Sequence, residues 1–297
     1  MYLVGMNTFQ SYYNKEYPHY KLQYEELANK NSSYKGIIIG TSHATHAIQP
    51  SVLDKTGIQF YNFSLNGSNP EFYLNWYKEL FNKHHSEVKY CIISVDNYFF
   101  KGDAWRMFEQ DVAFFPKTTF RELMLDGNKE YDRKRLFFNY FPVFKYRTQL
   151  GASLQFRKGD SHFLVEKYDR GFIPFETPFK QKYFLREERK DNLITIKQKE
   201  LFVELVDQFV NEGIDVLFVM PPEYDLSFKE YRSLQLFMQE MSIKYRVPFF
   251  DFNGALSSNA LNSIENFSDK SHMNEQGSQV FSEVLAKEIQ EYYTLRN

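Results

Sequence analysis

The sequence holds a single cysteine, Cys91, within "KYCIISVD". One cysteine excludes an intramolecular disulfide, and a lone thiol in an apolar run reads as a small core residue. It assigns no compartment. No stretch reaches the roughly 18 to 20 apolar residues needed to span a bilayer. The opening "MYLVGMNTFQSYY" has no basic region and too short an apolar run for a signal peptide. The chain as given therefore reads as soluble, and a cell-envelope association stays open if an N-terminal anchor has been removed. Internal repeats and low-complexity tracts are also missing. Charge of one sign is scarce in the balance: the net value is -2. That gives no electrostatic reason to expect nucleic acid as a partner.

Aromatic residues, in contrast, are plentiful. They make up 19% of the chain, with 31 Phe and 22 Tyr. So many rings either thicken a core or line a binding surface. With 43% hydrophobic and 25% charged residues, a packed globular core is expected. A length of 297 residues suits a single α/β domain carrying an insertion.

Strand and helix patterns alternate. "GIIIGTS" (Gly36–Ser42), "IQFYNFSL" (Ile58–Leu65), "VKYCIISVD" (Val88–Asp96), "IDVLFVM" (Ile214–Met220) and "VPFFDF" (Val247–Phe252) read as strands. Helices are expected at Pro70–His85, Asn192–Gly213, roughly Ser227–Tyr245 and Asn274–Tyr293. The first has Pro at an early helical position, and the second ends on Gly. Continuous apolar strands separated by helices predict a parallel sheet covered on both faces, a three-layer α/β/α, flavodoxin-like fold of about five strands. In such folds ligands bind beyond the carboxyl ends of the strands. Thr41-Ser42, Leu65-Asn66-Gly67, Asp96-Asn97, Pro221-Pro222 and the segment after Phe252 thus share one rim.

The segment from Tyr98 to Lys190 breaks the rhythm. It carries 19 Lys and Arg against 13 Asp and Glu, a net +6 that leaves -8 on the remainder. A loop this long is either functional or structured in its own right. It is expected to be a partly helical insertion after the third strand, forming a lid or side wall, or else a subdomain that completes the core. Trp105, Phe114 and Phe115 within it suit either a sugar-stacking surface or a core. The basic run "YDRKRLFF" (Tyr131–Phe138) reads as a solvated helix face ahead of a site for an anionic polymer or a membrane surface.

A serine hydrolase needs an exposed serine on a tight turn, a histidine base, an acid to orient that base, and oxyanion donors. Ser42 follows an apolar strand through Gly40-Thr41, and "HATHAI" after it can start a helix. Backbone N–H groups at such a start favour negative charge beside the serine. The base and acid are offered by "FSDKSHMNEQG". Asp269 and His272, three apart on a turn entering a helix, let a carboxylate reach one imidazole nitrogen while the other faces outward. Asn274 is the expected cap of that helix. Asp96, at another strand end, is a rival acid.

These residues, in this order, resemble the SGNH (GDSL-like) hydrolase superfamily. The resemblance covers Gly36–Asp96 and Asn192–Tyr293, not the insertion. More narrowly, the chain is similar to SGNH-like proteins of bacterial cell-surface polymers. These include polysaccharide O-acyltransferases and esterases and the D-alanyl-lipoteichoic-acid assembly protein. The resemblance implies Ser42 as nucleophile, His272 and Asp269 as its base and acid, and the N–H groups of Ser42 and Gly67 in the oxyanion hole. It also implies an acylated carbohydrate or cell-envelope polymer as substrate, a membrane-associated assembly partner as one option, and no cofactor. Two motifs depart from the family pattern. Gly-Thr-Ser stands for the commoner Gly-Asp-Ser, and "SVDNYFF" for Gly-x-Asn-Asp. Asn97 is the expected side-chain donor, with Asn66 and Asn69 as rivals. The departures keep a non-catalytic, accessory role in view.

Other features carry simpler readings. His43 and His46 have the H-x-x-H spacing of a zinc pair. No third ligand is evident, so the expectation is one partly buried and one exposed helix histidine and no metal. His43 is also placed beside the substrate. His84-His85 reads as a cationic helix end. In "MPPEYD" (Met220–Asp225) two prolines stiffen a rim loop, where Glu223 and Tyr224 either line the pocket or only form a rigid turn.

Overall fold

The computed structural model describes residues 22–23, 25–27, 29, 32–81, 87–100, 167–175, 194–224 and 228–296. Five strands form one sheet: β1 (Gly36–Ile39), β2 (Phe60–Asn62), β3 (Tyr90–Ser94), β4 (Asp215–Met220) and β5 (Phe249–Asp251). Their order is β2-β1-β3-β4-β5 and every pairing is parallel. This is the flavodoxin-like order, with its switch point between β1 and β3.

Among the described residues, the helices that flank the sheet include α1 (Ser42–Ala47), α2 (Pro50–Leu53), α3 (Pro70–Trp76), α4 (Ile196–Asn211), α5 (Phe228–Tyr245) and α6 (Glu275–Arg296). Alternation along the strands divides the core in two. Ile37, Ile39, Cys91, Ile93, Val216 and Phe218 face the layer of α3, α4 and α5. Ile38, Ile92, Leu217 and Val219 face α1, α2 and α6. Successive strand residues point to opposite faces. Both sets are apolar, so both faces must be covered, and the three-layer architecture follows. Each fully buried Ile, Leu or Phe contributes about 1.5–3 kcal/mol relative to exposure. The aromatic wealth goes largely to the first layer, where Phe63, Tyr73, Trp76, Phe81, Phe99, Phe100, Phe202 and Phe209 pack together. Among the described residues, no helix is long and apolar enough to cross a membrane.

Boundaries differ from the sequence-based expectation in places. α3 begins at Pro70 because the Asn69 side chain accepts from Phe72 N, and it runs regularly only to Trp76. It then widens into a π-helical turn over Tyr77–Phe81. α4 starts at Ile196 instead of Asn192, where Thr195 supplies the cap. His84 and His85 lie outside the described residues. So does most of the expected insertion, including Trp105, Phe114, Phe115 and Tyr131–Phe138.

Besides residues 98–100, one short piece of that insertion, residues 167–175, is described and lies against the domain. Arg170 pairs with Asp54 through two hydrogen bonds of 3.0 and 2.7 Å. Its carbonyl accepts from Asn62 N at 2.7 Å. Gly171 is required there. Its φ is +94°, and a Cβ would lie 1.7 Å from the Asn62 carbonyl oxygen. Ile173 N then donates to Thr45 O at 3.2 Å, which seats the strap on α1.

Candidate active site

The site grows from the end of β1. Gly40 approaches β3 so closely that a Cβ would meet the Ser94 Cβ and carbonyl oxygen at 2.8 Å. Its carbonyl accepts from Ser68 Oγ at 2.6 Å and Tyr73 Oη at 2.7 Å. These bonds fasten the turn after β2, which contains Gly67 (φ +69°), to the residue two before Ser42. Thr41 caps α1 by accepting from His43 N at 3.2 Å. Ser42 is thereby the first residue of α1, half-buried on the rim.

The second half of the site precedes α6. Asn274 caps that helix, accepting from Gly277 N at 2.9 Å. A bridge between Phe267 and Met273 closes the intervening loop, and Ser268 N donates to His272 O at 2.9 Å. Inside the loop, Asp269 Oδ1 accepts from the backbone N–H groups of Ser271 and His272, both at 2.8 Å. Its Oδ2 lies 2.8 Å from His272 Nδ1. The ring's other nitrogen, Nε2, lies 2.8 Å from Ser42 Oγ. A carboxylate only accepts, so Nδ1 carries the hydrogen. Nε2 is left as the acceptor for the serine hydroxyl.

Burial alone would push the Asp269 carboxyl up. The hydrogen bond and charge of His272, with the N–H groups of Ser271 and His272, outweigh it and hold the carboxyl well below the usual carboxylate range. Asp269 therefore stays ionised wherever the protein is folded near neutrality.

The remaining residues of interest fall into two groups. Gly67, Asn66, Asn69 and Asn97 lie at the ends of β2 and β3. Asn97 is buried, and its Oδ1 has no hydrogen-bond partner among the described residues. Asn69 is buried, with Oδ1 committed to capping α3 at 2.9 Å. Asn66 is half-buried.

His43, Asp96 and Glu223 form the second group. His43 is buried and its Nδ1 faces Glu223 Oε1 at 3.5 Å and Asp96 Oδ2 at 3.7 Å. Asp96 also accepts from Thr41 Oγ1. Asp96 thus lies beside His43, while Asp269 is the carboxylate on His272. Glu223 is buried and faces His43. Tyr224 is exposed, packs on Phe267 and donates its N–H to Lys270 O at 3.1 Å. The proline loop is so tied to the loop of the base.

The expectation of one exposed histidine in H-x-x-H is corrected, since His43 and His46 are both buried. His46 Nδ1 lies 2.6 Å from the Ile173 carbonyl oxygen, and its ring packs on Phe175 at 4.0 Å. The strap supplies the burial. Among the described residues, no group of three or more His, Cys, Asp and Glu side chains is arranged to hold a metal ion.

Sequence reasoning missed Phe175, whose ring lies 5.2 Å from that of His272 and walls one side of it. It also missed Asn253, which accepts from Glu223 N at 2.8 Å and donates to Pro221 O at 2.7 Å. Neither sits in a periodic or motif-like context. An open groove of ≈ 510 Å³ lies beside the strap, lined by Gln49, Lys167, Phe172, Pro174, Glu275, Gln276 and Gln279. None of Ser42, His272 or Asp269 lines it.

No protein-family model and no curated protein matches the sequence. Solved structures do resemble the fold. A lipase/acylhydrolase from Enterococcus faecalis superposes with a TM-score of 0.46 at 11% identity, covering 87% of this chain and 96% of its own. A GDSL-like lipase from Bacteroides thetaiotaomicron gives a TM-score of 0.42 at 9% identity, covering 92% of this chain and 98% of its own.

Proposed function

We propose that the protein is a serine-dependent esterase or acyltransferase acting on acyl esters, O-acetyl esters first among them, of a carbohydrate or cell-envelope polymer. The observation that carries this reading is the unbroken line from Ser42 Oγ through the His272 ring to the Asp269 carboxylate, with 2.8 Å at each end. Both contacts fall within the reach a nucleophile and its base require. The substrate class rests on the resemblance to the SGNH-like proteins of cell-surface polymers, and not on any residue.

In this mechanism Ser42 Oγ attacks the acyl carbonyl carbon while His272 Nε2 takes the hydroxyl proton. Asp269 holds the ring in the correct tautomer and stabilises its charged form. The backbone N–H groups of Ser42 and Gly67 and the side-chain amide of Asn97 receive the oxyanion. The tetrahedral intermediate collapses, the ester C–O bond breaks, and His272 returns its proton to the leaving alcohol. Water or a sugar hydroxyl then attacks the acyl-Ser42 ester as His272 takes its proton, the acyl–Ser42 Oγ bond breaks, and His272 returns the proton to Ser42 Oγ. No metal ion enters any step.

The test is release of p-nitrophenol from p-nitrophenyl acetate, and of acetate from an acetylated sugar, by the purified chain with and without EDTA. Turnover unchanged by EDTA is expected. Loss of turnover in EDTA sinks the serine mechanism in favour of a metal-dependent hydrolase. No turnover on either ester supports an accessory, non-catalytic protein instead.

A further inference from the structure

The proposed mechanism leaves a second set of ionisable groups unused, although it touches the base. Glu223 and Asp96 converge on one nitrogen of His43, at 3.5 and 3.7 Å, with side chains only 5% and 1% exposed. Their positions are enforced. Asp96 Oδ1 accepts from the N–H groups of Tyr98 at 2.7 Å and Phe99 at 3.0 Å, and its Oδ2 accepts from Thr41 Oγ1. Every one of these partners is a donor, which suits an ionised carboxylate. Glu223 is set by Asn253 on one side and by the Tyr224–Lys270 backbone bond on the other.

Two carboxylates buried against a single imidazole are tolerable only if that ring turns an N–H toward them. With both carboxylates ionised, the trio carries one net negative charge when His43 is protonated and two when it is neutral. The His43 ring meets the His272 ring edge to face, with centroids 5.0 Å apart and planes at 84°. Negative charge one ring away favours the positive charge that forms on the His272 ring when it takes the Ser42 proton.

We infer that Glu223 and Asp96, joined through His43, form a second acidic support that stabilises the imidazolium of His272 across the His43–His272 contact. This rests on the Ser42–His272–Asp269 reading, and it makes Glu223 and His43 positioning residues that act through His272. Other groups also face these rings. His46 of α1 has its ring 6.0 Å from that of His272, Tyr98 lies 5.9 Å from His43, Asp269 holds Nδ1 of His272, and Phe175 brings no charge. Asp269 orients the base from its Nδ1 edge, and the trio adds negative charge through the ring contact.

The experiment compares pH profiles of kcat/KM on p-nitrophenyl acetate for wild type, Glu223→Gln, Glu223→Asp, Asp96→Asn and Ser42→Ala. The acid limb reports protonation of the base in the free enzyme. Removing a negative charge makes His272 harder to protonate, so the limb of Glu223→Gln moves to lower pH, by about half a unit or more. Its plateau falls by about 3-fold or more, because the same charge helps hold the imidazolium in the transition state. Glu223→Asp, which keeps the charge, restores the limb toward wild type. A merely structural role predicts lower activity with the limb unmoved. Should Glu223→Gln fail to fold, Asp96→Asn removes the other charge of the trio and moves the limb the same way. An unmoved acid limb in a folded Glu223→Gln or Asp96→Asn overturns the inference. If Ser42→Ala is inactive while that limb stays in place, only this inference falls. If Ser42→Ala retains wild-type turnover, the triad reading falls instead.

Discussion

Replacing Ser42 with alanine removes ester turnover, lowering kcat by about four to six orders of magnitude. The residual rate reflects binding and oxyanion donors alone. The fold survives the change. The Ser42 hydroxyl bonds His272 Nε2, and the Thr41 cap of α1 comes from a different residue. Alanine is also a better helix former than serine by several tenths of a kcal/mol, so stability holds or rises slightly. An unchanged melting temperature with lost turnover is the expected pair of results. Retained turnover removes Ser42 from the chemistry.

Replacing Asp269 with asparagine acts at the other end of the same line. The substitution keeps the size and one oxygen, so the N–H groups of Ser271 and His272 retain an acceptor. The His272 ring loses its orientation. An amide NH2 facing Nδ1 draws the hydrogen of the neutral ring to Nε2, which then faces Ser42 as a donor and cannot take its proton. A loss in kcat of about 10³- to 10⁴-fold with KM little changed is expected.

The same substitution has a signature in stability. Folding depresses the Asp269 carboxyl below its unfolded value. Its ionised form therefore contributes stability that is fully present above the ordinary carboxylate value of about 4 and is lost as pH falls below it. Asp269→Asn abolishes that contribution, so its stability falls less steeply than the wild type's as pH drops below about 4. Denaturant titrations across that window, followed by circular dichroism, check the slope. Identical slopes contradict the Asp269–His272 pairing.

Much of this arrangement was legible in the sequence, for identifiable reasons. β1, β3 and β4 are largely runs of Ile, Val, Leu and Phe stopped by Gly, Pro or polar residues, the pattern of strands buried on both faces. Parallel pairing then sends Ser42, Gly67, Asp96 and Asn97 to one rim. "SDKSH" was legible because an acid and a histidine three apart on a turn can meet without help from the rest of the fold.

What was not legible depends on contacts between segments far apart in the chain. His46 is buried because residues 167–175, from a stretch with no periodicity, close over α1. Nothing in H-x-x-H signals that cover. Glu223 and Asp96 come from two strand ends, and only the packed sheet brings both to His43. In the sequence, only its strand-end position recommends Asp96 as a triad acid. The hydrogen bond from Thr41 Oγ1 and the backbone bonds at Tyr98 and Phe99 direct it toward His43. The π-helical turn after α3 is likewise invisible in a pattern of apolar spacing, because the expected period is that of an α-helix.

The central claim is that Ser42 is activated by His272, and a fluorophosphonate tests it most directly. Such a reagent phosphonylates a serine only where an adjacent base makes it nucleophilic. The account predicts one adduct on the intact chain, mapped by peptide mass spectrometry to Ser42 and missing in His272→Ala. An unlabelled chain that still turns over esters, or an adduct on another residue, contradicts it.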